Sequence, residues 1–325
     1  MARDTIGFVL DLPLAVVDPI GRAAPVVLVL LCWLPYRART RTLEREARPV
    51  PGWRRGCFAA GLVMLAAALS PPVDAIADEL LVAHMAEHLL IGDAAALLIV
   101  LGLTGPLLAP LLRNGIVARL RVLAHPVVAV VVWMVNFYVW HLPALYQLAL
   151  RHDLIHGLQH GCFLVFGIAM WMGLLGPLPK PAWFGNAARL AYIIVVRLAG
   201  TVLANAMLFS GSPWYPYYRA GDVQWHISGT ADQIAAAGVM MVEESILTIC
   251  LFCWLFLKVA REAEERQRLL DYAAAHDMEL DERRAARAVA AGRGEELWER
   301  LRSRVPASPD SSPARAAGPS AKAPT

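Results

Sequence analysis

The chain has 325 residues, of which 58% are hydrophobic and 18% are charged, and its formal net charge is +3. Soluble domains average about 45–50% apolar and 25% charged residues, so this composition argues against a soluble protein. The small, scattered positive charge argues against nucleic-acid binding, and five dispersed cysteines do not indicate a disulfide framework.

Windows of about 20 mostly apolar residues, the length that a helix needs to cross a bilayer, predict seven transmembrane helices. They lie near residues 16–36, 54–70, 81–103, 126–142, 154–176, 187–209 and 231–259. We therefore expect an all-α, polytopic membrane protein in which residues 1–260 form a seven-helix transmembrane bundle.

The basic residues indicate how these predicted spans are oriented. The loop 37–55 carries seven arginines, and 13 further Lys and Arg residues lie from residue 258 to the end. The loops on the opposite side hold only Arg3, Arg22, Arg151 and Arg219. Because basic loops tend to stay in the cytoplasm, the pattern predicts that the N-terminus is outside and the C-terminus is cytoplasmic.

The chain after the last predicted span changes in composition. Residues 261–304 are charged and rich in helix-forming residues, so we expect a cytoplasmic charged helix. Residues 305–325 are mostly Pro, Ser and Ala, and this composition predicts a disordered tail that has no core of its own.

Seven of the nine histidines fall on the predicted outer side of the membrane. Those within or beside spans three, four and five are His84, His88, His141, His152, His156 and His160. Residues four apart on a helix differ by about 40° in direction, so each helix presents its histidines along one face. Imidazole binds copper, zinc and iron, and buried polar rings in a membrane need partners. We therefore predict a metal site, and the alternative is a set of separate interface histidines that each bind a neighbour.

Two further types of donor lie near these histidines in the predicted topology. Met85 follows His84, and Met240 lies two turns below Asp232 at the outer start of the last span. Thioethers select Cu(I) among the common metal ions, although methionine is also an ordinary packing residue in membrane helices. We include all three of Met85, Asp232 and Met240 among the candidate metal-site residues.

Four charged residues lie 10 to 13 residues into their predicted spans and therefore occupy one central layer, namely Asp93, Arg197, Glu243 and Glu244. Each costs about 2.5–3.5 kcal/mol at the centre of a bilayer, so we expect them to face the bundle interior. Two readings remain open. The layer is either a buried ion-pair cluster that locks the helices together or a path for a cation or proton.

The histidine blocks resemble those of a known family. Residues 84–90, HMAEHLL, are similar to the H-M-x-Q-H-L-L signature of the CtaG family of multi-span cytochrome c oxidase assembly factors. Residues 141–146, HLPALY, followed by His156, His160 and Trp171, resemble a second family block, and 232–240 resembles a third. The resemblance covers roughly residues 25–260. The sequence departs from the family pattern in having Glu87 in place of glutamine, Gln159 in place of glutamate and Met241 in place of tryptophan.

The resemblance implies a non-enzymatic role in forming the copper centres of the oxidase, with copper handed over from the outer face of the bacterial plasma membrane. We expect an outer-facing cavity lined by His84, His88, His156 and His160, with Glu87, His141 and His152 nearby, that holds copper transiently. The expected partners are oxidase subunits and the lipid bilayer, but not nucleic acid, and a homodimer is left open.

Two alternatives use the same histidines. Three histidines and an acid such as Glu87 or Asp93 would suit a seven-span hydrolase with a zinc-activated water. Histidines on two helices would also suit the axial ligation of haem. A lipid-sized pocket with tightly bound zinc is expected of the hydrolase, and a Soret band is expected of the haem protein.

Overall fold

A computed structural model describes residues 19–115 and 119–304 of the chain. This part of the chain contains helices and no strand, which confirms the predicted all-α class. The helices are α1 (Pro19–Arg45), α2 (Gly52–Ala68), α3 (Val73–Ala77), α4 (Leu81–Gly102), α5 (Gly105–Arg113), α6 (Pro126–Trp140), α7 (Pro143–Arg151), α8 (Asp153–Leu174), α9 (Asn186–Leu208), α10 (Arg219–Gln224), α11 (Gly229–Ala275), α12 (Glu282–Ala290) and α13 (Gly294–Arg302).

Four of the described helices are long and apolar enough to cross a membrane, namely α4, α8, α9 and α11. Helices α6 and α7 meet at 73° and together form a fifth candidate span. These five coincide with the predicted spans from residue 81 onward. Helices α1 and α2 lie where the first two spans are predicted, but neither meets the same test within the described residues. The structure therefore supports a membrane protein with four or five spans, and the count of seven stays a prediction.

The sharp bend between α6 and α7 was not predicted, but the sequence explains it. Leu142 precedes Pro143, and a residue before proline is disfavoured in helical conformation. Leu142 accordingly adopts an extended backbone with φ −62° and ψ 127°, and Pro143 occupies the first turn of α7. The last turn of α6 and the following His141 are thereby directed into the bundle, where His141 is buried.

Helices α4 and α8 approach each other closely below their histidines. Gly92 and Gly167 allow the approach, because a Cβ atom added to Gly167 would lie 1.9 Å from the Gly92 carbonyl oxygen. At the same level α4 has a π-helical stretch, Leu90–Ala95, and the Trp171 indole donates a 3.0 Å hydrogen bond to the Asp93 carbonyl within it. This contact holds the two helices side by side. The histidines of α4 lie about one and two turns from Gly92, and those of α8 lie about two and three turns from Gly167.

The described part of the chain divides into two compact units, with the boundary between Phe252 and Cys253. In the second unit, Leu269, Val289, Leu297 and Leu301 form a small apolar core. Where a single charged helix was expected over 261–304, the structure has the end of α11 followed by the short helices α12 and α13. Positive φ angles at Asp277 and Gly292 turn the chain between them. The tail 305–325 lies outside the described residues.

Candidate metal centre

Four histidines from two helices meet in one cluster. His84 and His88 lie one turn apart on α4, and His156 and His160 lie one turn apart on α8. Each ring offers one nitrogen, either Nδ1 or Nε2, and these four nitrogens all lie within 4.8 Å of one another. The facing rings of His84 and His156 have centroids 5.2 Å apart, and so do those of His88 and His160. We call these four residues the four-histidine cluster.

Three of the four rings are buried, and several of their nitrogens lack partners. His84 is 0% exposed, His88 5% and His160 8%, while His156 is half-buried. Both nitrogens of His88, and the Nε2 atoms of His156 and His160, have no hydrogen-bond partner among the described residues. Buried polar atoms in native proteins are nearly always satisfied, so this arrangement points to a bound species. Metal–nitrogen bonds of about 2.0–2.1 Å put tetrahedral ligands about 3.4 Å apart, which small rotations of the rings would reach.

A carboxyl group lies beside the cluster on the same helix face. The Glu87 side chain is fully buried, and its Oε1 atom lies 3.8 Å from His160 Nε2. Neither of its oxygens accepts a hydrogen bond from a described residue. Gln159 is also fully buried, and its amide is likewise unpartnered among the described residues. Glu87 is therefore placed to contact a bound cation directly or to accept a proton from an imidazole ligand.

Tyrosine side chains form the wall of the cluster that faces α7 and the 209–218 segment. The fully buried Tyr146 ring lies 5.3 Å from His84, and its hydroxyl is 3.3 Å from the Tyr218 hydroxyl. Tyr215 stacks on Tyr146 at 4.1 Å and donates a 2.8 Å hydrogen bond to the His141 carbonyl. The sequence analysis did not predict this role for Tyr215 and Tyr218. The motif HLPALY contained the signal, because it ends in Tyr146.

A surface cavity reaches the cluster from one side. It is bounded by His156, His160, Tyr217 and three carboxylates, Asp74, Asp78 and Asp153. We call these three carboxylates the acidic mouth. Loss of hydration raises the pKa of Asp78 to about 6, and the charges of Asp74, Asp153 and Glu79 act in the same direction. Loss of hydration also raises the pKa of Asp74. The acidic mouth was not predicted, because its residues come from a loop and two helices that only the fold brings together.

Two of the candidate ligands, Asp232 and His152, do not lie in the four-histidine cluster. Asp232 accepts hydrogen bonds from the backbone N–H groups of Leu81, at 2.6 Å, and Val82, at 3.0 Å. It therefore caps the N-terminus of α4, the helix that carries His84, and both of its oxygens are engaged. His152 is exposed and has an extended backbone, with φ −140°, immediately before α8 begins. The helical spacing that would align it with His156 does not apply there, so it lies outside the cluster.

The remaining candidate donors lie on the inner side of the cluster. His141 is buried, and its Nδ1 atom is 2.7 Å from the Phe137 carbonyl oxygen. Its ring is 6.2 Å from Tyr146, and it does not belong to the group of four. Met85 and Met240 are also buried, and they line the same internal cavity as His88 and His141. Metal binding by His141, Met85 and Met240 stays a prediction.

The central charged residues also come together, as the sequence predicted. Both terminal nitrogens of Arg197 contact Asp93 Oδ2, at 3.2 and 3.3 Å, and one lies 3.8 Å from Glu243 Oε2. Glu244 accepts a 3.0 Å hydrogen bond from the Thr201 hydroxyl. We call Asp93, Arg197, Glu243 and Glu244 the charged layer. The closest partner of Arg197 in this layer is Asp93.

The fold and the site together define a helical membrane protein with a buried, two-helix histidine cluster. Residues 30–262 match the family model of the cytochrome c oxidase caa3 assembly factor, Caa3_CtaG, so the chain belongs to this family. This confirms the resemblance read from the histidine blocks.

Curated relatives add little about function. The uncharacterized protein Mb0105 of Mycobacterium bovis and the uncharacterized protein MT0111 of Mycobacterium tuberculosis are each 24% identical to this chain over 279 residues. Each match covers 79% of this chain and 42% of the relative, so the chain spans less than half the length of these relatives. No solved structure matches the chain.

Proposed function

We propose that this protein binds copper at the four-histidine cluster and delivers it to a copper centre of cytochrome c oxidase during assembly, without being an enzyme. The family supports a role in assembling the caa3 oxidase. The observation that carries the copper step is the convergence of four imidazoles, three buried and one half-buried, each of which offers a nitrogen within 4.8 Å of those of the other three.

The donor set favours copper that is held and then released. Imidazole suits copper and zinc, and the thioethers of Met85 and Met240 near the cluster favour the cuprous state. The side of the cluster that carries His156 and His160 borders the acidic mouth. An ion reached from one side can be passed to a second protein, whereas structural zinc sites are closed by four protein ligands.

The proposal includes the topology that the sequence predicts. With seven spans in the bacterial plasma membrane and the N-terminus outside, the acidic mouth faces the outer side, where an oxidase subunit can receive copper. A membrane-impermeant histidine reagent should then modify His156 in spheroplasts. Labelling confined to inside-out vesicles would overturn this orientation.

The transfer step is tested in cells that assemble the oxidase. His84→Ala and His156→Ala should each leave the protein in the membrane but lower oxidase activity and oxidase-bound copper. His152→Ala is the matched control, because this exposed histidine precedes the same helix and lies outside the cluster. Unchanged oxidase activity and copper in both cluster variants would refute the transfer role.

One observation favours the zinc hydrolase as a second candidate. The cavity beside His156 and His160 has an apolar wall that includes Leu28, Leu65 and Leu69, which could accept a lipid chain. Metal analysis of the purified full chain separates the two functions, since the hydrolase requires tightly bound zinc and the assembly factor requires exchangeable copper. The haem alternative gains no support, because haem iron takes one or two axial histidines, whereas four imidazoles converge at this cluster.

A further inference from the structure

A second cavity lies at the end of helix α8 that is opposite to the four-histidine cluster. Its polar lining consists of four residues, Arg119, Arg121, His125 and Lys180. We call the space that they surround the basic cavity. Helix α8 is apolar enough to cross a membrane, and it ends at Leu174, 18 residues beyond His156. About 27 Å of helix therefore separates the two ends, close to the roughly 30 Å of a bilayer's hydrocarbon core, so the basic cavity lies at the level of lipid headgroups.

Lys180 is held at the cavity by its own loop. It lies between Pro179 and Pro181, whose fixed φ angles keep this segment out of helical conformation. Its ammonium group donates a hydrogen bond to the Met172 carbonyl in the last turn of α8 and keeps two further N–H donors. Loss of hydration lowers the pKa of Lys180 to about 8, and the charge of Arg189 acts in the same direction. The ammonium charge therefore lacks a compensating anion.

His125 contributes a buried ring nitrogen to the same cavity. It lies between the short turn Leu120–Ala124 and the start of α6, and its Nδ1 atom has no hydrogen-bond partner among the described residues. A neutral imidazole can carry its proton on this nitrogen and donate it to an anion. Buried polar atoms are nearly always satisfied in native proteins, so we expect a ligand here. The Trp183 ring lies 6.0 Å from His125 and is 55% exposed, as tryptophans at a membrane interface are.

The chain does not balance the charge of the basic cavity. Residues 94–152 and 154–221 contain no Asp or Glu, so neither loop that forms the cavity has an acid. Its three cations form no salt bridge within the described residues. Loop 37–55 is also basic, but two of its arginines are paired, as Arg39–Glu46 and Arg55–Glu44. The preference of basic loops for the cytoplasm explains positive charge in both regions, but it does not require a cavity without any acid.

We propose that the basic cavity binds the phosphate group of an anionic phospholipid. The guanidinium groups of Arg119 and Arg121 and the ammonium group of Lys180 supply the positive charge, and His125 Nδ1 supplies a hydrogen bond. Arginine suits this role because its planar guanidinium can donate two parallel hydrogen bonds to a phosphate. Basic pockets between membrane helices recognise lipid headgroups through the same chemistry.

The remaining lining favours a lipid over a soluble phosphate. Val122 and Leu178 line the cavity beside the cations, and its volume is about 520 Å³. Pockets for small organic ligands typically measure about 300–1,000 Å³, so a headgroup with its glycerol backbone fits the cavity. A zwitterionic lipid carries an ammonium group that the three cations repel, so we expect selectivity for anionic lipid. The proposed topology places the cavity at the cytoplasmic leaflet, but binding itself requires neither this orientation nor copper.

The experiment measures lipid binding to the purified, delipidated full chain in detergent and phosphate-free buffer. Native mass spectrometry counts the phosphatidylglycerol or phosphatidylcholine molecules that are retained at matched lipid concentrations. We expect one phosphatidylglycerol molecule to bind about tenfold more tightly than phosphatidylcholine. Arg121→Gln and Lys180→Gln should each weaken this binding about fivefold, the effect of one basic residue near an anionic lipid. His125→Phe keeps a ring beside Trp183 but has no N–H, and it should weaken binding less.

Matched variants separate a specific site from the general attraction of basic loops for anionic lipid. Arg48→Gln removes an exposed arginine from loop 37–55, which the sequence predicts on the same side, and it should keep the native affinity. Lys180→Arg keeps the charge and the donors, so it should restore most of the affinity that Lys180→Gln loses. Copper binding at the four-histidine cluster should be unchanged in Lys180→Gln, because the two sites lie at opposite ends of α8.

Three results would overturn the lipid site. Equal binding of phosphatidylglycerol and phosphatidylcholine would mean that the cavity does not recognise an anionic headgroup. An equal loss of affinity in Arg48→Gln and Arg121→Gln would mean that the summed charge of the loops, and not the basic cavity, attracts lipid. Binding of inorganic phosphate that depends on Arg121 and Lys180, without retention of phosphatidylglycerol, would assign the cavity to a soluble anion.

Discussion

The four-histidine cluster and the charged layer are both buried in the same unit of the chain, yet they are stabilised differently. The cluster consists of imidazoles that each offer a nitrogen within 4.8 Å of the others, and both nitrogens of His88 lack a hydrogen-bond partner among the described residues. The charged layer is built around Arg197, which contacts Asp93 and Glu243. An unpartnered neutral polar group costs about 1–3 kcal/mol when buried, whereas an unpaired charge costs considerably more.

This difference bears on the proposed exchange of copper. Helix packing, such as the contact between Gly92 and Gly167, can hold neutral imidazoles in place without a counter-charge. The carboxylates deeper in the bundle lie beside the Arg197 guanidinium, which supplies a counter-charge. The proposed function therefore assigns the exchangeable ion to the cluster, while the charged layer contributes to the stability of the bundle.

The largest expected effect is that of Arg197→Met. Removing the guanidinium leaves Asp93 and Glu243 as uncompensated buried acids, and breaking a buried pair in this way costs about 3–5 kcal/mol. Thermal unfolding in detergent should show a large loss of stability. His84→Ala, measured in parallel, should change stability much less, because it removes a neutral group. Equal stability of Arg197→Met and the native chain would contradict the assignment of Arg197 as the stabilising counter-charge.

Gly167→Ala tests the packing that brings the two regions together. The added Cβ would lie 1.9 Å from the Gly92 carbonyl, so α4 and α8 must separate, at a cost of about 1–3 kcal/mol. Copper affinity should fall because His88 and His160 move apart. Gly161→Ala on the same helix is the control, since its Cβ would meet nothing within 4 Å. If both variants bind copper equally well, the glycine contact does not position the cluster.

Asp232→Ala tests the corrected role of this residue. Losing two hydrogen bonds at the N-terminus of α4 should cost about 0.5–2 kcal/mol and weaken copper binding modestly. The hyperfine pattern of the bound Cu(II) should be unchanged, because no ligand has been removed. A changed pattern would instead restore Asp232 to the ligand set, as the sequence first suggested.

The sequence predicted which histidines form the cluster better than it predicted the roles of the neighbouring residues. The reason is that helical spacing is informative only inside a regular helix. Helical spacing placed His84 with His88 and His156 with His160, because all four lie inside regular helices. It failed for His152, which lies one residue before α8, and for Asp232, whose role depends on the N-terminus of another helix. The predicted topology had already placed these histidines on one side of the membrane, and the family resemblance supported the same grouping because it matches both histidine blocks.

Gln233 follows Asp232 in the block 232–240 that resembles the family. Its contacts show that residues of one sequence motif need not all bind a metal. Its amide donates to the Met207 carbonyl at 2.9 Å and accepts from the Trp214 N–H at 2.7 Å. It therefore fastens the segment after α9 to the start of α11, beside the Asp232 cap. These contacts join residues about 20 positions apart, and helical periodicity within one segment carries no information about them.

The smallest expected effect concerns the acidic mouth, through which we expect the ion to reach the cluster. Asp78→Asn should slow copper loading at pH 7 to 8, measured by stopped-flow at low ionic strength, because a carboxylate attracts the approaching cation. Since the pKa of Asp78 is raised to about 6, its charge is lost as the pH falls through 6, so the variant and the native chain should converge at pH 5. Comparing them at each pH cancels the protonation of the imidazoles that both share.

The same raised pKa fixes the sign of the effect on stability. Ionisation of Asp78 opposes folding, so its contribution to stability is complete below its ordinary pKa of 3.8 and is lost as the pH rises through about 6. Asp78→Asn should therefore be at least as stable as the native chain at pH 8 while loading copper more slowly. Glu79→Gln is the control, because Glu79 accepts a 2.6 Å hydrogen bond from the Trp225 indole and does not line the cavity. Equal slowing by both variants would mean that total charge near the outer loop, and not the acidic mouth, governs access to the cluster.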